Sequence, residues 1–132
     1  MMDHLGRQYA QKHPNISIVG LRYFNVYGPR EFFKNKTSSM VVQFGHQLLG
    51  GKNPKLFENS DKILRDFIYI EDIIQANVLA MSPKESGVFN VGTGNARSFQ
   101  SMVDILQHEL GTSFECEYIP NPYVGRYQFH TE

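Results

Sequence analysis

Short apolar runs alternate along this chain with stretches in which apolar residues return every third or fourth position. Met1, Leu5 and Tyr9 recur at fourth positions before Pro14, which predicts a helix over residues 1–13. That helix opens the chain without an N-cap, which suggests sequence upstream. Ile16 to Leu21 is β-rich and short enough for a buried parallel strand, and Gly28-Pro29 stops the extended stretch that follows it. Glu31 to Thr37 is polar and irregular. Thr37 or Ser38 then caps a helix reaching Leu49, with Met40, Val41, Phe44 and Leu48 on one face and Gly50-Gly51 at its end. Lys55–Phe57 is a short strand, 58–62 a polar loop, and Phe67–Ile70 a further strand. Asp72 caps a helix to Met81 whose apolar stripe is Ile73, Ile74, Val78 and Leu79. After a turn at 83–86, Val88–Val91 is again extended, and Gly92-Thr93-Gly94 follows. Ser98 caps a strong helix, Phe99–Leu110, ended by Gly111. Phe114 to Ile119 alternates, so one face is buried. The tail from Pro120 has no clear element.

Strands alternating with helices predict an α/β fold with a mostly parallel sheet. The strands are too few for a self-sufficient doubly wound sheet. At 132 residues and 41% hydrophobic content, the chain suits one domain or part of a larger one. Thirteen basic and thirteen acidic residues balance, so no global field attracts nucleic acid or an anionic membrane. No apolar run approaches a bilayer span and no signal peptide is visible, so neither a membrane nor a nucleic-acid partner is expected. Cys116 is the single cysteine, which excludes an internal disulfide and fits a cytoplasmic setting. Between Glu115 and Glu117 it reads as a small core residue. The five histidines are scattered without metal-ligand spacing, so no metal is expected.

If the sheet is open and parallel, ligands gather beyond the carboxyl ends of its strands, and Asn25 and Tyr27 stand at such an end. The segment Leu21-Arg22-Tyr23-Phe24-Asn25-Val26-Tyr27-Gly28-Pro29-Arg30-Glu31, with Lys34 close behind, resembles a signature of the extended short-chain dehydrogenase/reductase family. Arg65-Asp66-Phe67-Ile68-Tyr69-Ile70-Glu71-Asp72 resembles a second. Within that family the chain is similar to the branch that epimerises C6 of an ADP-heptose with NADP for lipopolysaccharide core synthesis. The resemblance spans nearly the whole chain. It implies the C-terminal part of an NAD(P)-binding Rossmann-type fold with its small substrate-binding domain. Residues 1–30 and 66–91 would then belong to the sheet and residues 31–65 and 92–132 mainly to the substrate cap.

The family's Gly-rich cofactor turn and its Tyr-x-x-x-Lys pair are not found here, and the resemblance puts that lysine directly before Met1. Gly92-Thr93-Gly94-Asn95-Ala96-Arg97 mimics half of a dinucleotide fingerprint but reads better as a plain strand–helix turn. The chain alone is therefore expected to be an inactive fragment, with apolar surface that favours self-association.

The resemblance also assigns roles. Lys34 becomes an acid/base group, since inverting a sugar carbon needs proton handling on two faces. The competing reading of Lys34 is a solvated surface lysine. Asn25 would contact substrate, or else bond its own backbone at the strand end. Val26 would lie against the nicotinamide by its backbone. Phe57, Glu58, Asn59 and Ser60 match a substrate loop that has Gly where Asn59 stands; Asn tolerates the positive φ such a turn needs. Arg65 would grip a pyrophosphate, or pair with Asp66. Tyr127 matches a late substrate contact. Lys36 and Gln43 stand where the family has other substrate contacts. The expected ligand is an ADP-sugar and the expected assembly a homo-oligomer. Alternatives are a UDP-hexose 4-epimerase or sugar dehydratase of the same family, or a non-catalytic self-associating fragment.

Overall fold

The computed structural model describes residues 2–82 and 85–122. The chain opens with helix α1 (Met2–Lys12), followed by strands β1 (Val19–Tyr23) and β2 (Asn25–Tyr27). A 3₁₀ segment (Phe32–Thr37) leads into α2 (Met40–Leu49). Strands β3 (Lys55–Phe57), β4 (Leu64–Arg65) and β5 (Phe67–Tyr69) precede α3 (Ile70–Ala80). Then come β6 (Gly87–Val91), β7 (Arg97–Ser98), α4 (Phe99–Leu110) and β8 (Glu117–Ile119).

The predicted parallel α/β character holds. β1 pairs with β6, β2 with β5 and β3 with β8, all parallel, and among the described residues only the short β4–β7 pair is antiparallel. The extended stretch before Gly28 is two strands rather than one. At Phe24 the chain changes partner: the Phe24 N–H donates to Val91 O, and the next amide, Asn25 N–H, donates to Asp66 O. A continuous β-rich run conceals that switch, because pairing depends on what lies alongside and not on propensity. For the same reason the first strand begins at Val19, not Ile16.

Local signals fixed most helix ends. Ser98 accepts the Ser101 N–H at 3.0 Å, and Gly111 closes α4 in the left-handed region at φ 62°. The cap of α2 is Ser39, whose hydroxyl accepts the Val42 N–H at 3.4 Å, one residue beyond the two expected. Ser38 Oγ and Thr37 Oγ1 instead donate back to carbonyls of the 3₁₀ segment. Asp72 is not a cap: β5 runs directly into α3, with Tyr69 at its N-cap. The Asp72 carboxylate therefore lies in the first turn, where the helix dipole favours a negative charge.

The core joins α2 and α4 with the strands between them. Phe44, Leu56, Ile63, Phe99, Met102 and Val103 form one buried cluster, with Met40, Val41, Phe67 and Cys116 packed against it. Cys116 thus takes its expected inner place, but the alternation expected over 114–119 stops at Tyr118, which is 54% exposed. The α3 stripe behaves differently. Ile73 is buried, but Ile74, Val78 and Leu79 are 56%, 59% and 78% exposed. A helix lying over a narrow strand pair buries one row of side chains, and the rest of its apolar face stays open. On the opposite side α1 is tied to β1 by an ion pair between Asp3 and Arg22, while Leu5 and Tyr9 remain exposed. No helix among the described residues is long and apolar enough to cross a membrane.

Candidate active site

The carboxyl end of β2 is built around a buried carboxylate. Glu31 is 7% exposed, although Phe32 to Thr37, the six residues after it, all face solvent. Its Oε1 accepts the Gly28 N–H at 3.1 Å and the Ser39 hydroxyl at 2.9 Å; its Oε2 accepts the Ser39 N–H at 2.7 Å. One side chain therefore ties the end of β2 to the N-terminus of α2. Burial pushes the Glu31 carboxyl up. The Ser39 amide and hydroxyl, the Gly28 amide and the Lys34 ammonium together outweigh it and hold the group below the ordinary glutamate range. Gly28 must be glycine here, since a Cβ would lie 2.4 Å from Ile70 Cγ2 at the start of α3.

Lys34 stands one 3₁₀ turn beyond Glu31. Its N–H donates to Glu31 O at 2.9 Å and its Nζ lies 3.7 Å from Glu31 Oε2. The side chain is 45% exposed, so the ammonium is both anchored and reachable. The turn breaks immediately afterwards at Asn35, with φ 47° and ψ −118°. Gln43 closes the loop from α2, donating to the carbonyls of Lys36 at 3.2 Å and Ser38 at 2.8 Å. Lys34, Lys36 and Gln43 thus share one loop assembly at the end of β2. The Lys36 side chain faces solvent, and the Gln43 amide nitrogen is engaged in holding the loop.

A second buried acid organises the other side of β2. Asp66 is fully buried; its Oδ1 accepts the Thr93 N–H at 2.9 Å and the Thr93 hydroxyl at 2.8 Å, and its Oδ2 accepts the Gly94 N–H at 2.8 Å. The Gly92-Thr93-Gly94 turn therefore directs its Thr93 and Gly94 amides at a carboxylate. They are not free to cradle a phosphate, which settles that motif as a strand–helix turn. The Asp66 backbone carbonyl accepts both the Asn25 N–H at 3.0 Å and the Asn25 side-chain amide at 3.2 Å. The Asn25 side chain is therefore held by a carbonyl 41 positions away and not by its own backbone, and it remains half-buried at the strand end. Successive amides along a strand point to opposite edges, so the backbone of Val26 faces the edge of β2 away from β5. Arg65 is 5% exposed in β4 and its guanidinium donates to Leu64 O at 2.8 Å.

The Phe57–Ser60 turn is carried by the separate β3–β8 pair. Ser60 N–H donates to Phe57 O at 3.1 Å and Glu58 N–H to Ile119 O at 2.9 Å. Asn59 adopts φ 61°, so the turn that glycine would make is made here by asparagine. Glu58 and Asn59 face solvent. Ser60 is 2% exposed, and its hydroxyl has no hydrogen-bond partner among the described residues. Tyr127 lies outside the described residues. No cluster of three or more potential metal ligands occurs among those described.

Sequence reasoning overlooked Glu31 and read Asp66 only as structural. The side-chain partners of Asp66 lie 27 and 28 positions away, and those of Glu31, though only three to eight positions away, converge through an irregular loop that no regular period marks.

The arrangement matches known proteins over most of its length. Residues 1–92 match the NAD dependent epimerase/dehydratase family. The fold is similar to an ADP-L-glycero-D-manno-heptose-6-epimerase from Helicobacter pylori, at 51% identity and a TM-score of 0.78, over 88% of this chain and 37% of that one. It is also similar to a UDP-glucose 4-epimerase from Thermotoga maritima crystallised with UDP-glucose, at 30% identity and TM-score 0.81, over 89% of this chain and 37% of that one. A UDP-N-acetylglucosamine 4-epimerase from Methanobrevibacter ruminantium, in complex with UDP-N-acetylmuramic acid, matches at 28% identity and TM-score 0.79, over 89% and 38%. The chain therefore spans a little over a third of the length of these enzymes and reproduces part of their Rossmann-type fold. With the strand-end motif, the parallel pairing and the family match all in agreement, this chain belongs to the NAD dependent epimerase/dehydratase family.

Proposed function

We propose that the chain is the substrate-side part of a nucleotide-sugar epimerase. The enzyme would convert ADP-D-glycero-D-manno-heptose to ADP-L-glycero-D-manno-heptose in the cytoplasm, for lipopolysaccharide core synthesis. The observation that carries this reading is the 51% identity to an ADP-heptose 6-epimerase, against 30% and below for the other epimerases compared. In this reading residues 1–30 and 66–91 belong to the sheet, and 31–65 and 92–132 mainly to the substrate cap.

Lys34 is the proton-transfer group in this reading. Its ammonium is exposed enough to meet a sugar hydroxyl and fixed enough by Glu31 to meet it repeatedly in one orientation. When the C6 hydroxyl becomes a carbonyl its proton must leave, and when the opposite face is reduced a proton must return. Asn25, Phe57, Glu58, Asn59, Arg65 and Tyr127 serve substrate recognition, with Ser60 shaping the turn from beneath. NADP, when bound, supplies a reversible hydride acceptor for C6. The described residues fit only its nicotinamide end, through the Val26 backbone, because Asp66 already occupies the glycine turn that resembles a pyrophosphate seat. The exposed apolar rows of α1 and α3 are to be covered by the rest of the enzyme or by a second copy.

The test compares ADP-heptose with UDP-galactose as substrates for the full enzyme containing this chain, before and after Lys34→Met. Preference for the ADP-sugar and a loss of about 100-fold or more in kcat are expected. Preference for the uridine sugar would overturn the substrate assignment. The 132 residues alone are expected neither to bind NADP nor to turn over, and epimerisation by the purified chain would refute that.

A further inference from the structure

We propose that Glu31 is the positioning residue for Lys34: its buried carboxylate fixes the ammonium at the end of β2. This rests on the reading of Lys34 as the proton-transfer group. The 3₁₀ geometry supplies the first argument. Residues three apart eclipse one another in such a turn, so Lys34 stands directly over Glu31 rather than beside it. Burial supplies the second. An ionised carboxylate is costly to bury unless it is fully engaged, and Glu31 is the one buried residue of the 31–37 loop.

The third argument is the division of its oxygens. Oε1 already takes two hydrogen bonds, from Gly28 and Ser39, whereas Oε2 takes one, from the Ser39 amide. Oε2 therefore retains an acceptor direction, and the Lys34 ammonium lies 3.7 Å from it. A neutral side chain could accept one of these amide bonds. Only an anion can accept them and also hold a cation. Since Glu31 is anchored to both β2 and α2, the lysine inherits a position referenced to the strand end and not to the flexible tip of its own side chain.

Two variants separate this proposal from the reading beneath it. In the first experiment an amine-reactive acylating reagent labels the full enzyme containing this chain, and Lys34 is compared with its neighbour Lys36 by peptide mass spectrometry. Glu31→Gln is expected to raise labelling of Lys34 relative to Lys36 by about threefold, the scale of a partly exposed ion pair. Raising the salt concentration should do the same in the unaltered protein, which keeps the test open if Glu31→Gln fails to fold. An unchanged ratio under both conditions overturns the proposal whatever the enzyme's substrate. In the second experiment Glu31→Gln in the full enzyme is expected to lower kcat about tenfold with KM within about twofold. A rise in KM alone would mean that Glu31 merely shapes the loop, and would overturn the positioning role. Full activity in Lys34→Met would overturn the assignment of Lys34, and with it the catalytic purpose of the pair.

Discussion

Replacing Asp66 with asparagine changes one oxygen into an amide nitrogen at a fully buried site, and the structure fixes the consequence. The carboxylate receives three donors: the Thr93 N–H and hydroxyl on Oδ1, and the Gly94 N–H on Oδ2. An asparagine oxygen set at the Oδ1 position keeps both Thr93 bonds but turns its NH₂ toward the Gly94 N–H. Set at Oδ2 it keeps Gly94 and confronts the Thr93 N–H instead. In either orientation one buried backbone donor loses its partner, at about 1–3 kcal/mol, and the remaining bonds lose their charge assistance. Asp66→Asn should therefore cost about 2–3 kcal/mol. Asp66→Ala orphans all three donors and should cost about 4 kcal/mol, close to the whole stability of a marginal domain. Urea unfolding followed by circular dichroism measures both. With a slope of about 2 kcal/mol per molar, Asp66→Asn should lower the midpoint by about 1 M. The Asp66 backbone carbonyl survives the change, so amide resonances of 92–94 should move while that of Asn25 stays. A midpoint within about 0.2 M of the parent would refute the reasoning, because a buried donor cannot lose its acceptor at no cost.

Gly92→Ala tests the same junction from the other side. A Cβ there would lie 2.4 Å from Phe24 Cδ2 and 2.6 Å from Asp66 Oδ2, so a loss of about 2–3 kcal/mol is expected in the same denaturation assay. Glu31 should make the loop acid-sensitive: its lowered pKa contributes stability that is complete above the ordinary glutamate value of 4.5 and is lost as pH falls through the depressed folded value. The Gly28 and Ser39 amide resonances, followed by NMR, should therefore shift with a midpoint below 4.5; a midpoint above it would contradict the hydrogen bonding described.

Much of the fold was legible because its determinants are local. Ser98 and Gly111 bracket α4 in sequence as they do in space, and the alternation from Phe114 found its inner face at Cys116 before breaking at Tyr118. Asn59 was legible for the same reason, since a positive φ is a property of one residue and its immediate turn. The α3 stripe was legible as a helix but misleading as a core, because periodicity reports which side of a helix is apolar and not whether anything covers it. The candidate site divides along the same line. Lys34 and Asn25 were visible through their motif. That the Asn25 side chain spends its amide on Asp66 O, and that the Gly92–Gly94 turn faces a carboxylate, were not.

The sequence by itself determined the alternation of strands and helices, the cap and closing glycine of α4, the Asn59 turn, and the segment that carries Lys34. These depend on hydrogen bonds and periodicities that close within a few residues. Only the tertiary structure decided which buried acid serves which loop. Glu31 reaches Ser39 across eight positions, and Asp66 reaches Thr93 and Gly94 across 27 and 28. Parallel pairing of strands distant in sequence brings Asp66 to its turn, the irregular 31–39 loop brings Glu31 to the start of α2, and burial then makes the loss of their hydrogen bonds costly.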